Sequence, residues 1–255
     1  MRHRYNFIVI ILILAASLTA TIPAQAIDMS SKARQAQEYY EKGEYDKAAK
    51  IYESLVESGI KSGPLYYNLG NCYLQKGDSL GKAIFCYEAA RFMIPRDTAL
   101  LINLRYAKSL MKQADVAADK HFLLALLRMA FDLFTLEKSF ALINTCYFGC
   151  AIFFVLSLFV RRFKLFLRWM AALLLVVSVL MIVPLHAKIV RAERTGIVIA
   201  PAVDAKLEPF TEAASKFPLY EGMELNVLKT TKEWHKVRRG DGKVGWLRRE
   251  ALWRL

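Results

Sequence analysis

The chain has 255 residues, with 36 Lys plus Arg, 23 Asp plus Glu and 55% hydrophobic residues. This composition is too apolar for a disordered chain and too charged for a transporter built of many spans. The apolar residues are clumped, which predicts a multidomain membrane protein with soluble and membrane segments. The densest positive charge lies between two apolar runs, which argues against a nucleic-acid-binding stripe.

The N-terminus has the three-part layout of a secretory signal peptide. Two arginines within the first four residues precede an apolar stretch from Phe7 to Ala16, and small residues then lead to Ala24-Gln25-Ala26. This layout predicts a signal peptide over residues 1–26, with a mature chain that starts at Ile27. An uncleaved anchor is the alternative, and in both cases the following segment is exported.

Two uncharged apolar segments, residues 139–160 and 169–187, are long enough to be transmembrane helices. At about 1.5 Å rise per residue, each covers the ~30 Å hydrocarbon core of a bilayer. The loop between them, 161–168, has four basic residues and no acidic one. Such loops stay cytoplasmic, which predicts a bacterial inner-membrane protein with both flanking regions in the periplasm.

Residues 121–138, just before the first span, are rich in Leu and Phe but are interrupted by Arg128, Asp132 and Glu137. This pattern predicts an amphipathic helix at the membrane interface, in which Arg128 and Asp132 lie one turn apart. A partly buried helix that packs on a domain is the alternative.

Residues 29–113 contain a sequence repeat with a period of about 34. Small residues, tyrosines and turn glycines recur in order, namely Ala36, Tyr39, Gly43, Ala48 and Tyr52 in the first copy and Gly70, Tyr73, Gly77, Ala83 and Tyr87 in the second. This pattern resembles the tetratricopeptide repeat, in which small residues let two helices approach closely and aromatic residues fill the space between repeats.

The two copies do not match the repeat equally well. The first has Gln35 where Leu69 stands in the second, and Ile60 where the second ends in Pro95. Beyond Pro95, residues 98–111 have apolar residues at helical spacing and predict an incomplete third unit. About two and a half repeats are expected, which is near the minimum for a stable stack.

By resemblance, tetratricopeptide stacks bind extended peptides on their concave face. The residues that would line this groove are Tyr40, Tyr67, Asn71 and Gln75. Asn71 matches an Asn that such grooves use to hold a peptide backbone or terminus. The alternative is that Asn71 is ordinary solvated helix surface, because the usual surrounding Lys and Arg residues are absent.

Four cysteines are too few for a disulfide scaffold. Cys72 and Cys86 lie in the segment predicted to be exported, where they can form a bridge or serve as small core residues. Cys146 and Cys150 lie within the first apolar span.

From Thr195 the sequence changes to short β-rich runs separated by turn residues, which predicts four or five strands in a small all-β barrel over 195–255. Strands are predicted at 196–199, 224–228, 234–238 and 244–247, with a two-residue hairpin turn at Asp241-Gly242.

This C-terminal segment resembles the bacterial SH3-like domain, whose relatives bind peptidoglycan peptides or proteins. Trp234 and Trp246 are its candidate surface, although such tryptophans also serve in core and rim packing. Gly245 would remove a side chain where strands crowd. His235 is expected to point outward and to be exposed, with no metal-ligand partner beside it.

No catalytic motif, cofactor-binding motif or metal-ligand set is present in the sequence, and its four histidines lie in four different segments. We therefore expect no catalytic residues, no cofactor, no metal and no enzymatic activity.

The order of signal peptide, short repeat stack, membrane hairpin and SH3-like domain resembles the BatE family of the Bacteroides aerotolerance operon. The resemblance implies an interaction scaffold among envelope proteins, with von Willebrand A-domain membrane proteins and a MoxR-type ATPase system as partners. A cell-wall sensor or tether, whose SH3-like domain binds peptidoglycan, is the alternative function.

Overall fold

The computed structural model describes residues 24–112 and 136–255. In these two ranges, seven α-helices precede a seven-stranded antiparallel sheet. The helices are α1 Ala24–Glu41, α2 Tyr45–Glu57, α3 Gly63–Lys76, α4 Leu80–Met93, α5 Thr98–Ser109, α6 Leu136–Phe159 and α7 Lys164–Arg194. The predicted signal peptide, apart from residues 24–26 in the first turn of α1, lies outside the described residues.

The first five helices pack in sequence order around one core, each against the next along the chain. Gly43 and Gly77 have φ angles of 77° and 78°, in the left-handed region that glycine adopts without strain, and they form the turns after α1 and α3. Asp97 caps α5 by accepting a bond from the Leu100 amide at 2.8 Å.

Most of the residues that recur in the sequence lie in this core, apart from the two turn glycines and the half-buried Tyr39. Tyr52, Tyr73 and Tyr87 are buried, as are Ala36, Ala48 and Ala83. A Cβ on Gly70 would lie 2.8 Å from the Tyr87 ring, so only glycine permits this approach of α3 to α4. In α5, the predicted third unit, Leu100 and Leu104 are buried, whereas Leu101 and Leu110 are exposed.

Helices α6 and α7 form a hairpin, and both are long and apolar enough to cross a membrane. The residues buried between them are mostly small, including Cys146, Ser157, Ala171 and Ser178, which lets the helices approach closely. The connection is shorter than the predicted loop 161–168, because only Arg161–Phe163 forms a turn and α7 begins at Lys164.

Helix α7 is also longer than the predicted span 169–187, and it runs directly into the sheet. It ends at Arg194, and the first strand begins at Thr195 without a linker. Of the predicted interfacial helix 121–138, the last three residues belong to α6 and the rest lies outside the described residues.

The strands are β1 Thr195–Val198, β2 Ala202–Lys206, β3 Ser215–Tyr220, β4 Glu224–Thr230, β5 Trp234–Arg238, β6 Val244–Arg248 and β7 Leu252–Arg254. Their order in the sheet is β3-β2-β6-β5-β4-β1-β7. Residues from both edges, such as Leu219 of β3 and Leu252 of β7, share one core, so the sheet curls around it.

The sequence predicted β1, β4, β5 and β6 and missed the other three strands. The turn between β5 and β6 is also longer than the predicted two residues. The Arg239 amide donates to the Lys243 carbonyl, so the turn consists of residues 240–242, and Gly242 takes a φ of 89°. Gly245 has the predicted role, since a Cβ there would lie 2.9 Å from the Ala205 Cβ.

Candidate functional site

The four groove residues of the sequence analysis lie together on α1 and α3. Burial raises the pKa of Tyr40. Two of the other candidate residues also affect this pKa, namely Gln75, which is hydrogen-bonded to the Tyr40 hydroxyl, and Tyr67. Tyr40, Tyr67 and Asn71 are half-buried, and Gln75 is exposed. Tyr40 also packs edge to face on Tyr45, with ring centroids 5.2 Å apart. The surface is therefore aromatic and uncharged at its base.

Asn71 is the centre of a hydrogen-bond network that joins three helices. Its Oδ1 accepts from the Tyr87 hydroxyl at 2.8 Å and from Asn103 Nδ2 at 3.0 Å. Asn103 Nδ2 also donates to the Tyr67 hydroxyl at 3.1 Å. Asn71 is thus tied to α4 and α5 through its oxygen, unlike a freely solvated surface residue.

This network uses the Asn71 side-chain oxygen and not its amide nitrogen. Asn carries one acceptor oxygen and two N–H donors, and its Nδ2 donates to none of the described residues. Burial also raises the pKa of Tyr87, so its hydroxyl keeps its proton and remains a donor to Asn71. An Asn amide fixed through its oxygen can donate to a peptide carbonyl.

Asn103 lies beside these candidate residues and was not predicted from the sequence. It lies in the predicted third unit and bonds both Tyr67 and Asn71. The only sequence signal is its position as a single amide between Ile102 and Leu104 in an otherwise apolar stretch.

The candidate tryptophans of the sheet lie on the same outer face of adjacent strands, since Trp234 pairs with Arg248 and Lys236 pairs with Trp246. Trp234 is only 7% exposed, with the Arg248 guanidinium 5.5 Å above its ring. Trp246 is half-buried, and Lys236 Nζ is 5.8 Å from its ring centre. Trp246 therefore offers accessible ring surface, whereas Trp234 is largely covered.

The prediction that His235 is exposed is wrong. The side chain is 2% exposed, and its Nδ1 lies 3.0 Å from Thr230 Oγ1. Alternation along β5 explains the error, because Val237 is in the core and residues two apart share a face. Burial, with added repulsion from Arg254 and Arg249, lowers the pKa of His235.

The cysteines of the helical region are buried free thiols. Cys72 and Cys86 are both completely buried in the helical core and form no disulfide. Burial raises the pKa of Cys72 to about 12 and also raises the pKa of Cys86, so both remain protonated. The sequence left open whether these two cysteines form a bridge or serve as small core residues, and in the structure they are small core residues.

The helical region packs directly on the sheet, a contact that no sequence pattern predicted. Trp253 of β7 packs edge to face on Phe85 of α4, with ring centroids 5.2 Å apart and planes at 80°. Lys82 Nζ lies 5.3 Å from the Trp253 ring centre. A Cβ on Gly81 would lie 2.5 Å from the Val198 carbonyl oxygen, so the backbones nearly touch.

Residues 24–112 and 136–255 contain no group of three His, Cys, Asp or Glu side chains that could hold a metal ion. The chain matches no protein-family model and no curated protein.

Proposed function

We propose that the protein is a non-enzymatic scaffold anchored in the bacterial inner membrane. In this proposal the helical region is a short tetratricopeptide stack, the sheet is an SH3-like domain, and both lie in the periplasm. Its partners are envelope proteins, as the resemblance to the BatE family implies. They would include von Willebrand A-domain membrane proteins and a MoxR-type ATPase system, in a complex that supports aerotolerance.

The observation that carries this proposal is the Asn71 network at the base of the aromatic groove. An uncharged groove that presents a fixed amide donor suits the backbone of an extended peptide segment. Tyr40 and Tyr67 supply aromatic surface for the side chains of such a segment, and aromatic residues are enriched at protein interfaces.

In this proposal the membrane hairpin determines on which side of the membrane the groove lies. The turn between α6 and α7 and the first turns of α7 include Arg161, Arg162, Lys164 and Arg168. Under the positive-inside rule this end faces the cytoplasm, so the groove and the sheet lie on the other side. A shared anchor raises the effective concentration of weakly binding partners in the same membrane.

The proposal is tested by light cross-linking of intact cells that express the full-length protein with a C-terminal tag. Membrane proteins that co-purify with the wild type should be lost with Asn71→Ala, because the fixed amide donor is removed. Asn68→Ala is the matched control on the same helix, since Asn68 donates to Tyr52 of α2. Partners that persist with Asn71→Ala would count against recruitment by the groove.

A cell-wall sensor or tether is the second candidate. The accessible ring of Trp246, with Lys236 over it, favours this function because it gives the outer sheet face an aromatic and cationic surface. The full-length protein in detergent should then sediment with purified sacculi, and Trp246→Ala should reduce the sedimented fraction. A scaffold that acts through the groove alone stays soluble.

A further inference from the structure

The direction of the strands shows which end of the sheet lies beside α7. β1 leaves α7 at Thr195, and β4 runs antiparallel to it with Asn226 opposite Thr195. The residues of β4 beyond Asn226, up to Thr230, therefore run back along the end of α7, at about 3.3 Å per residue. Arg254 joins this end to the helix, since its Nη2 donates to the Glu193 carbonyl at 2.6 Å and its Nη1 to Thr230 Oγ1 at 3.4 Å.

The same end of the sheet lies close to a bilayer that α7 crosses. The uncharged stretch of α7 ends at Ala187, and Arg194 is the last helical residue. The intervening turns rise by about 10 Å, slightly more than the ~5–8 Å headgroup layer on one side of the hydrocarbon core, and β4 runs back toward the bilayer from that height. The hairpin between β4 and β5 therefore lies at headgroup level.

This end of the sheet is cationic. We define the cationic rim as four exposed residues, Lys229, Lys232, Arg248 and Arg249. Strand pairing brings them together, because Arg248 lies opposite Trp234 and the Arg249 amide donates to the Glu233 carbonyl at 2.8 Å. Two exposed carboxylates, Glu233 and Glu250, are interspersed, so the rim keeps net positive charge.

One strand pairing in this part of the sheet is unfavourable in the isolated protein. Lys229 lies directly opposite Lys236 across β4 and β5. Like charges in such a pair destabilise a sheet, and an external anion removes the repulsion. Trp246 is the cross-strand neighbour of Lys236 on the other side, which adds an aromatic ring of the kind enriched at membrane interfaces.

We propose that the cationic rim binds the headgroup phosphates of anionic phospholipids in the membrane that α7 crosses. Contact between rim and lipid, together with the direct junction of α7 to β1, fixes the sheet against the bilayer. Because the helical region packs on the sheet, its groove is then held at a defined height. The inference rests on the membrane anchoring in the proposed function and is independent of the groove's ligand.

The test is hydrogen exchange of the full-length protein in lipid nanodiscs of phosphatidylcholine, with and without roughly one-third phosphatidylglycerol. Amides of the hairpin around Lys229 and Lys232 should exchange more slowly in the anionic discs. The difference should shrink in ~0.5 M salt, because the contact is electrostatic. Removing one rim cation should lower the protection about fivefold, the factor equivalent to ~1 kcal/mol per charge at an anionic surface.

The matched variants carry three charge removals each, at opposite ends of one sheet. Lys229→Gln, Lys232→Gln and Arg249→Gln together should abolish the lipid-dependent protection. Lys216→Gln, Arg238→Gln and Lys243→Gln, at the end of β5 and β6 away from the β4–β5 hairpin, should leave it unchanged. Arg248 is kept in both variants because it covers Trp234.

Equal exchange of the hairpin in the two kinds of disc would overturn the rim proposal and leave the scaffold function standing. An equal loss of protection in both variants would also overturn it, since the effect would then follow net charge. If α6 and α7 themselves exchange freely in both discs, membrane anchoring fails and the rim proposal fails with it.

Discussion

Trp253 meets Phe85 edge to face, with ring centroids 5.2 Å apart, and so joins the last strand of the sheet to helix α4. The Tyr73 ring packs against the same indole, with ring centroids 6.5 Å apart, and Lys82 Nζ lies 5.3 Å from the centre of the Trp253 ring. One tryptophan near the C-terminus thus contacts two helices of the N-terminal region. The helical region and the sheet therefore form one packed unit instead of two tethered modules.

Replacement of Trp253 by Ala should loosen this unit. The change removes two aromatic pairs and part of the buried indole, at a cost of about 2 kcal/mol. Hydrogen exchange of the α4 amides, Leu80–Met93, should then accelerate about thirtyfold relative to the wild type. Trp246→Ala, in the same sheet but remote from α4, should leave α4 exchange unchanged. Similar exchange in both variants would contradict the assigned contact.

Gly81→Ala should destabilise the protein, although alanine in a helix normally stabilises by up to about 1 kcal/mol over glycine. A Cβ at this position would lie 2.5 Å from the Val198 carbonyl oxygen, and a backbone atom cannot rotate away. We expect a net loss of about 1–2 kcal/mol, measured by urea unfolding in detergent. A gain in stability would show that α4 does not approach β1 this closely.

Glu88 should support the packing of α5 on α4. Its side chain is 4% exposed, and its carboxylate lies 2.6 Å from Arg91 Nη2 and 2.5 Å from Lys108 Nζ. Glu88→Gln removes the charge that both cations face and should cost about 1–2 kcal/mol, because the two cations are partly solvated. Asp46→Asn breaks the exposed pair with Lys76 and should change the urea midpoint little.

Acidification should weaken the sheet through His235. Burial and two nearby arginines lower its folded pKa below the ordinary value of 6.5, so the unfolded chain binds the proton more readily. The stabilising contribution is complete above pH 6.5 and is lost as pH falls toward and through the lowered pKa. His235→Gln should flatten the dependence of the urea midpoint on pH in this window. An unchanged slope would show that His235 does not cause it.

The sequence period predicted the helices of the repeat region and the buried tyrosines, because small residues and tyrosines recur there at a spacing of about 34 residues. The strands β2, β3 and β7 were missed because their patterns are short and interrupted, as in β3, where Pro218 lies between Phe217 and Leu219. The direct connection of α7 to β1 was missed for another reason: the segment 188–194 is too charged to belong to a membrane span but is still helical.

The groove residues were chosen from the sequence by resemblance, and the structure brings Tyr40, Tyr67, Asn71 and Gln75 to one surface. Asn103 was missed because its role depends on how α5 docks on α3, which no local pattern encodes. Trp253 was missed for the same reason, since its partners lie more than 150 residues away in the chain.

The central claim, that the groove recruits envelope proteins, is tested most directly by a photoreactive amino acid in place of Gln75 in intact cells. Gln75 is exposed and lies outside the hydrogen bonds of Asn71, so the replacement leaves the Asn71 network intact while it removes the bond between Gln75 and Tyr40. Irradiation should give adducts with specific membrane proteins, and these should disappear with Asn71→Ala. The same amino acid in place of Lys50, exposed on α2, should give none of them. Identical adducts from both positions, or adducts with cell-wall material only, would contradict the scaffold.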